Sequence, residues 1–212
     1  NMKGKGEEAQ IFLKKIEEEK FASYRIKELL LLNTMKFRQT DANIILDQLN
    51  SQNLNIKKFD LDYLSDNPYL LNPVESKNDG MAELLYNISS WFYSKELYKY
   101  SAFFGKISLR LRPDFNAMKL LLSGSFEKLG YQKLGINYIK NLDTKNLYYY
   151  KFLRIKLSLL ESLEKHQEFL LNLREFIEDY QERFEMKALL ADKLRRLEKY
   201  NEAIKIYSDI IN

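Results

Sequence analysis

The 212-residue sequence has no cysteine, three prolines, seven glycines, one histidine and one tryptophan. Without cysteine there is no disulfide, no thiolate metal site and no cysteine nucleophile, and the chain is at home in an oxidising or a reducing compartment. A single histidine, His166, cannot build a histidine metal cluster, and its neighbours make it a turn residue. So few glycines and prolines disfavour an all-β fold with a turn every ten or so residues, and a mostly helical protein follows. No apolar run approaches the roughly 18 residues of a membrane span. The strongest, Leu29–Leu32, is flanked by Lys27, Glu28 and Lys36. The start does not read as a secretory signal, although Asn1 ahead of Met2 leaves a removed upstream segment open. The compartment stays open: cytoplasmic, or periplasmic if such a signal was removed.

Hydrophobic residues make up 45% and charged residues 30%, enough apolar surface to fold and enough charge to stay in solution. The net charge of +4 comes from 34 basic and 30 acidic side chains. They read as interleaved, as in Lys14–Lys20, which is the pattern of a solvated helix face with i,i+4 pairs. Charge therefore gives no reason to expect nucleic acid.

The clearest organisation lies near the end. Leu197–Ile211 reads as a polar elbow leading into a helix with Ala203, Ile204, Tyr207, Ile210 and Ile211 on one face. From Ala203, steps of 34 residues reach Phe169, Gly135 and Ser101. Nine residues before each rung stand Phe92, Phe126, Leu160 and Leu194; twelve before stand Ser89, Ser123, Leu157 and Ala191. A further column holds Leu109, Asp143, Ile177 and Ile211. Large residues at one fixed offset and small ones at another are what paired helices need, the first to fill the gap and the second to let backbones approach.

This ladder resembles that of tetratricopeptide repeat proteins. The Asp79–Ser90 opening, with Arg110–Asp114 behind it, is also similar to a group of bacterial repeat proteins. The resemblance implies an all-α, right-handed α-solenoid of helix-turn-helix (TPR-like) repeats over residues 82–212. Four repeats would start near Ala82, Asn116, Tyr150 and Phe184. In the first, helix A covers Leu84–Phe92 and helix B Leu97–Leu111, stopped by Pro113. Gly130 fits the turn of the second; Glu164 replaces the usual glycine and Phe169 the small rung in the third. Residues 1–64 read as an N-terminal helical hairpin, a degenerate repeat or a cap, with a long helix over 6–36 and a second opening at Asp41 as N-cap. Residues 65–80 read as a Pro/Asn-rich loop whose Tyr69, Leu70, Leu71 and Val74 pack back on the helices.

The family resemblance also implies a concave groove, lined by the A helices, that takes a segment of a protein or peptide partner. Its fixed offsets place Tyr86, Ser90, Tyr93, Leu120, Lys151, Arg154, Asp192 and Arg195 in that groove, with Tyr86 and Tyr93 as aromatic anchors and Arg154 and Arg195 as carboxylate partners. The lysine and asparagine clamp that some relatives use on a C-terminal carboxylate is absent; Tyr86, Ser90, Leu120 and Gly124 occupy its positions. No catalytic constellation, cofactor motif or metal-ligand set appears. Gly130–Gly135 has the first spacing of a phosphate loop, but Ile136 and Asn137 follow where lysine and a hydroxyl residue are required. The sequon at Asn87–Ser89 falls inside an expected helix. The expectation is a noncatalytic scaffold for a protein partner, without cofactor, nucleic acid or membrane span. The alternatives are the helical arm of a larger enzyme or secretion machine continuing past Asn212, and, less favoured because the groove columns are not uniformly polar, an RNA-binding helical repeat. With no polar capping helix in view, either the chain continues past Asn212, the favoured expectation, or its C-terminal end self-associates.

Overall fold

Ser76 opens the regular part of the chain. Its hydroxyl accepts from the Asp79 amide at 3.1 Å while the Asp79 carboxylate accepts from the Ser76 amide at 2.8 Å, a closed capping box that starts a helix at Lys77. The computed structural model describes residues 24–37, 39–52, 60–140, 146–180 and 183–211. In order these form α1 (Tyr24–Phe37), α2 (Gln39–Gln52), α3 (Leu61–Asp66), a 3-10 turn (Pro68–Leu71), α4 (Lys77–Ser94) and α5 (Tyr98–Leu111). Then follow α6 (Asn116–Lys128), α7 (Gln132–Ile139), α8 (Tyr149–Ser162), α9 (His166–Asp179), α10 (Phe184–Arg196) and α11 (Tyr200–Ile211). No strand occurs among the described residues.

Two expectations change at the front. The capping box draws Lys77–Gly80 into α4 and Ser65 and Asp66 close α3, so the expected 65–80 loop shrinks to a short link around the 3-10 turn. Leu70 and Leu71 are buried there, whereas Tyr69 faces solvent. Asp41 is not an N-cap, because α2 already starts at Gln39. The expected helix over 6–36 is seen from Tyr24 onward, and its earlier part lies outside the described residues, as does Asp143.

From α4 on, helices pair into hairpins whose turns repeat one geometry. Glu96, Gly130, Glu164 and Glu198 all have left-handed backbones, with φ of 59°, 77°, 55° and 60°. They are spaced by the same 34 residues as the ladder. Just past each, an amide closes back on the helix: Leu97 on the Phe92 carbonyl (2.9 Å), Tyr131 on Phe126 (2.8 Å), Lys165 on Leu160 (2.9 Å) and Lys199 on Leu194 (2.9 Å). This is the six-to-one closure of a Schellman turn, and the large apolar column supplies every acceptor. Glycine holds a left-handed backbone at no steric cost; glutamate does not. Replacing Glu96, Glu164 or Glu198 by glycine should therefore raise stability by roughly 0.5 kcal/mol each, after allowing for the looser unfolded chain. Urea midpoints of the three variants measure this, and a uniform fall would contradict the turn geometry.

The rungs lie inside each hairpin. Ser101, Phe169 and Ala203 are buried, and at Gly135 an added Cβ would stand 3.1 Å from the Ser123 carbonyl oxygen. The first two hairpins share a device: the Ser89 hydroxyl donates to the Ser101 carbonyl at 2.8 Å, and the Ser123 hydroxyl to the Gly135 carbonyl at 2.9 Å. Leu157 and Ala191, also buried, stand in the serine column of the later pair. Phe169 fills its hairpin with a ring where the others have a small group, and α8 and α9 pack less closely than α4 and α5. On α11 the apolar face is narrower than expected. Ala203 is buried and Tyr207 half-buried, but Ile204 and Ile211 face solvent because the packing of α11 is concentrated on α10.

Two apolar clusters result. One joins α1–α8 through Leu31, Leu64, Leu71, Met118, Leu122 and Phe152; the other joins α8–α11 through Leu160, Leu173, Phe176 and Leu194, so α8 contributes to both. Helices α4, α6 and α8 pack in succession and form one side of the array.

Candidate partner-binding groove

Helix α1 lies against that side and is held there by charge as well as by apolar contact. Arg25, only 2% exposed, donates from Nε to Glu83 at 3.0 Å and from Nη1 to Glu28 at 3.0 Å. The same guanidinium reaches the carbonyls of Leu71 (2.7 Å) and Asn72 (2.6 Å), tying α1 to the 3-10 turn. Arg112, at the end of α5, donates to Glu83 at 3.1 Å and to the Pro73 carbonyl at 2.9 Å. Both guanidiniums approach the Phe115 ring, at 5.2 and 5.0 Å from its centroid. Two arginines and two carboxylates thus meet in a buried cluster, with Asp79 and Asp114 at its edge 3.8 and 3.6 Å from the Arg112 Nε, the pairing that makes burial of charge tolerable.

Glu28 completes the cluster imperfectly. One oxygen accepts from Arg25 and from the Tyr148 hydroxyl (2.7 Å); the other is buried with no partner. Burial pushes the Glu28 carboxyl up to about 7, against the pull of Arg25, the Tyr148 hydroxyl and Lys151. Burial raises Tyr148 as well, and raises Tyr86 to about 12, so both phenols stay neutral. Because the folded form binds the Glu28 proton more tightly than the unfolded form, this group adds stability below its unfolded value of 4.5 and loses it as pH rises towards 7. Glu28→Gln should flatten the stability profile between those limits and leave the protein no less stable than the parent at pH above the upper one. Urea titrations across that window test it; an unchanged slope would contradict it.

Next to the clasp, Tyr24 stands over the ammonium of Lys151, 3.6 Å from the ring centroid, and meets Tyr148 edge-on at 5.4 Å. Burial lowers the Lys151 ammonium, with Glu28 opposing. These residues border a cavity of about 250 Å³ that also touches Tyr86, Tyr93, Leu120 and Gly124. A second, larger cavity of about 470 Å³ lies between α8 and α10. Its apolar floor is Tyr150, Leu157, Phe169, Met186 and Leu189. The rim carboxylates are engaged: Glu161 with Lys193, Asp192 with the Tyr207 hydroxyl at 2.6 Å, and Glu185 with Arg183 at 3.5 Å. Arg154 and Arg196 have no carboxylate partner among the described residues; Arg154 only overlies the Tyr150 ring, at 6.0 Å.

Of the residues expected in the groove, Tyr86, Tyr93, Leu120 and Lys151 thus surround the first cavity, and Arg154 and Asp192 the second. Ser90 and Arg195 border neither of these two, and Arg195 points toward Asp192 at 3.7 Å. Tyr86 is packed on Phe115 at 5.4 Å and sits beside the α1 clasp. The sequence reading missed Tyr24, Arg25 and Glu28. The available signal was a charged pair three residues apart just ahead of the apolar run Leu29–Leu32. Among the described residues no group of three or more His, Cys, Asp or Glu side chains could hold a metal, and both clasp carboxylates accept from arginine. What this side offers is apolar surface edged by hydrogen-bonding groups.

No protein-family model matches the sequence, and no curated protein matches it. Solved structures do. The MamA RS-1 ArsTM double mutant aligns with a TM-score of 0.54 at 13% identity, over 87% of this chain and 93% of that one. MamA 41-end from Desulfovibrio magneticus RS-1 aligns at 0.51 and 12%, with the same coverages. At such identity the likeness is one of fold: this chain is an all-α, right-handed solenoid of helix-turn-helix repeats.

Proposed function

We propose that the protein is a noncatalytic interaction scaffold whose A-helix side, formed by α4, α6, α8 and α10, holds a segment of a partner protein. The observation that carries this reading is the use the chain already makes of that side. Helix α1 is seated on it through one aromatic and one arginine, Tyr24 and Arg25, the pairing that anchors many protein interfaces. The larger cavity beside it is within the size range of binding sites, has an apolar floor, and carries two arginines without partners, Arg154 and Arg196. An amphipathic helix bearing carboxylates satisfies both demands.

A photo-crosslinking residue at Leu189, on the cavity floor, should join the protein to one defined partner in the cells that make it. The same residue at Leu171, on the exposed face of α9, should not. Equal adducts from both positions, or none from Leu189, would overturn the proposal.

A further inference from the structure

The B helices of the first two hairpins carry exposed surface that folding does not explain. On α5, Tyr100 and Phe103 are 57% and 59% exposed, and Ile107 follows one turn on. The opposite side of α5 buries Ser101, Ala102, Gly105 and Ser108, so its packing face is already used. Trp91, Tyr131 and Leu134 extend the exposed set on the neighbouring elements. The aromatic rings are held in place from below: Phe92 stacks on Tyr100 at 5.3 Å and on Phe104 at 5.4 Å, and meets Trp91 at 5.0 Å.

Apart from Glu96, the charges of these two helices and the turns before them are of one sign. Residues 95–111 carry Lys95, Lys99, Lys106 and Arg110; residues 128–140 carry Lys128, Lys133 and Lys140. All seven are exposed, and Glu96 is the one acid in either stretch. None of the seven has a carboxylate partner among the described residues; Lys106 lies over the Phe126 ring at 5.3 Å. Lys99 and Lys133, like Lys106 and Lys140, occupy equivalent places one repeat apart. The later B helices differ: α9 carries Glu168, Glu175, Glu178 and Asp179 against Arg174. Against a whole-chain charge of +4, six net positive charges on this face mean that the remainder is net negative.

Three anionic surfaces could neutralise such a face, and the side chains separate them. Planar recognition of phosphates or bases favours arginine, and here six of seven cations are lysine. The aliphatic Ile107 and Leu134 have no role in stacking on bases. Protein interfaces are depleted in lysine at their centre. Exposed tryptophan, tyrosine, phenylalanine and aliphatic groups ringed by long lysines is the composition that lies in a bilayer interface, with rings at the headgroup boundary and ammonium groups reaching outward. We infer that α5 and α7, with the end of α4, form a peripheral docking face for an anionic lipid bilayer. The face is carried by the B helices, so a bilayer there leaves the A-helix side for a protein partner. No helix of the described residues is long and apolar enough to cross a membrane, so attachment is to the surface.

Trp91, the sole tryptophan, lies within this face and reports on it directly. The full chain is titrated with vesicles of phosphatidylcholine, alone or mixed with phosphatidylserine, while Trp91 emission and co-sedimentation are followed. With phosphatidylserine present the emission should shift to shorter wavelength and be quenched by brominated acyl chains, and the protein should sediment at low salt and be released at high salt. Lys99→Gln and Lys133→Gln should each weaken binding roughly fivefold, from the usual contribution of one basic residue near an anionic surface. Phe103→Ser should reduce it as well, whereas Lys205→Gln on α11 should not. Circular dichroism checks that these surface variants fold. No binding to phosphatidylserine vesicles at low salt, binding indifferent to the three substitutions, or the same emission shift with RNA or polyglutamate would overturn the inference. The Leu189 crosslink is read separately, so either proposal can fail alone.

Discussion

Arg25→Ala is expected to cost about 3–5 kcal/mol, because it removes one partner of a buried charge cluster and strands the others. Glu28 and Glu83 each lose a hydrogen-bonded cation, and the Leu71 and Asn72 carbonyls lose their donor. Alanine is too small to fill the space, so desolvated carboxylates and a cavity add together. The loss should be local. Hydrogen exchange should show α1 and the 3-10 turn losing protection, while α9–α11, which pack in the other apolar cluster, keep theirs. Adding Glu28→Leu removes the carboxylate left without a cation and should restore part of the stability; Glu83 is kept, because Arg112 still pairs with it. If the single variant unfolds α1 and α11 alike, the clasp is not a local device; if protection of α1 is unchanged, it is not a clasp.

Ala203→Glu is the second large effect. Ala203 is 2% exposed where α11 meets α10, at the rung that Ser101 and Gly135 occupy in earlier hairpins. A carboxylate there has neither room nor partner, and the expected loss is on the order of 3 kcal/mol or more. Its neighbour supplies the control. Ile204 is 62% exposed, so Ile204→Glu should change stability by no more than about 0.5 kcal/mol. Chemical denaturation of the pair measures the contrast, and equal effects at both positions would show that the rung is misplaced.

These two predictions also divide what could be read from the residues from what could not. The rung at Ala203 and the columns at Phe126, Leu160 and Leu194 were legible because each hairpin repeats the same packing problem and solves it with a similar size of side chain. The turn at Glu164 was harder. A glutamate gives no sign of a left-handed backbone, yet helix packing imposes one at Glu96, Glu164 and Glu198 as it does at Gly130. The charged pair Arg25 and Glu28 marks the seat of α1 in the sequence, but its partners were not legible. It depends on contacts from Arg25 to Glu83 and from Glu28 to Tyr148, far apart in the chain and outside any period. The charge on α5 and α7 stands in the sequence, where residues 95–111 and 128–140 hold a single acid, but that the seven cations are all exposed does not.

The absence of cysteine allows the in-phase stacking of hairpins to be tested by disulfide formation in otherwise unmodified protein. In the first hairpin the Ser89 and Ser101 hydroxyl oxygens are 3.1 Å apart, close enough for two cysteine sulfurs to bond after small rotations. Mass spectrometry after mild oxidation should find the bond in Ser89→Cys/Ser101→Cys and equally in the equivalent pair of the last hairpin, Ala191→Cys/Ala203→Cys. Shifted by one residue, Ala191→Cys/Ile204→Cys should stay reduced. Closure of the shifted pair in preference to the in-phase one would contradict the stacking on which the groove and the lipid face both depend.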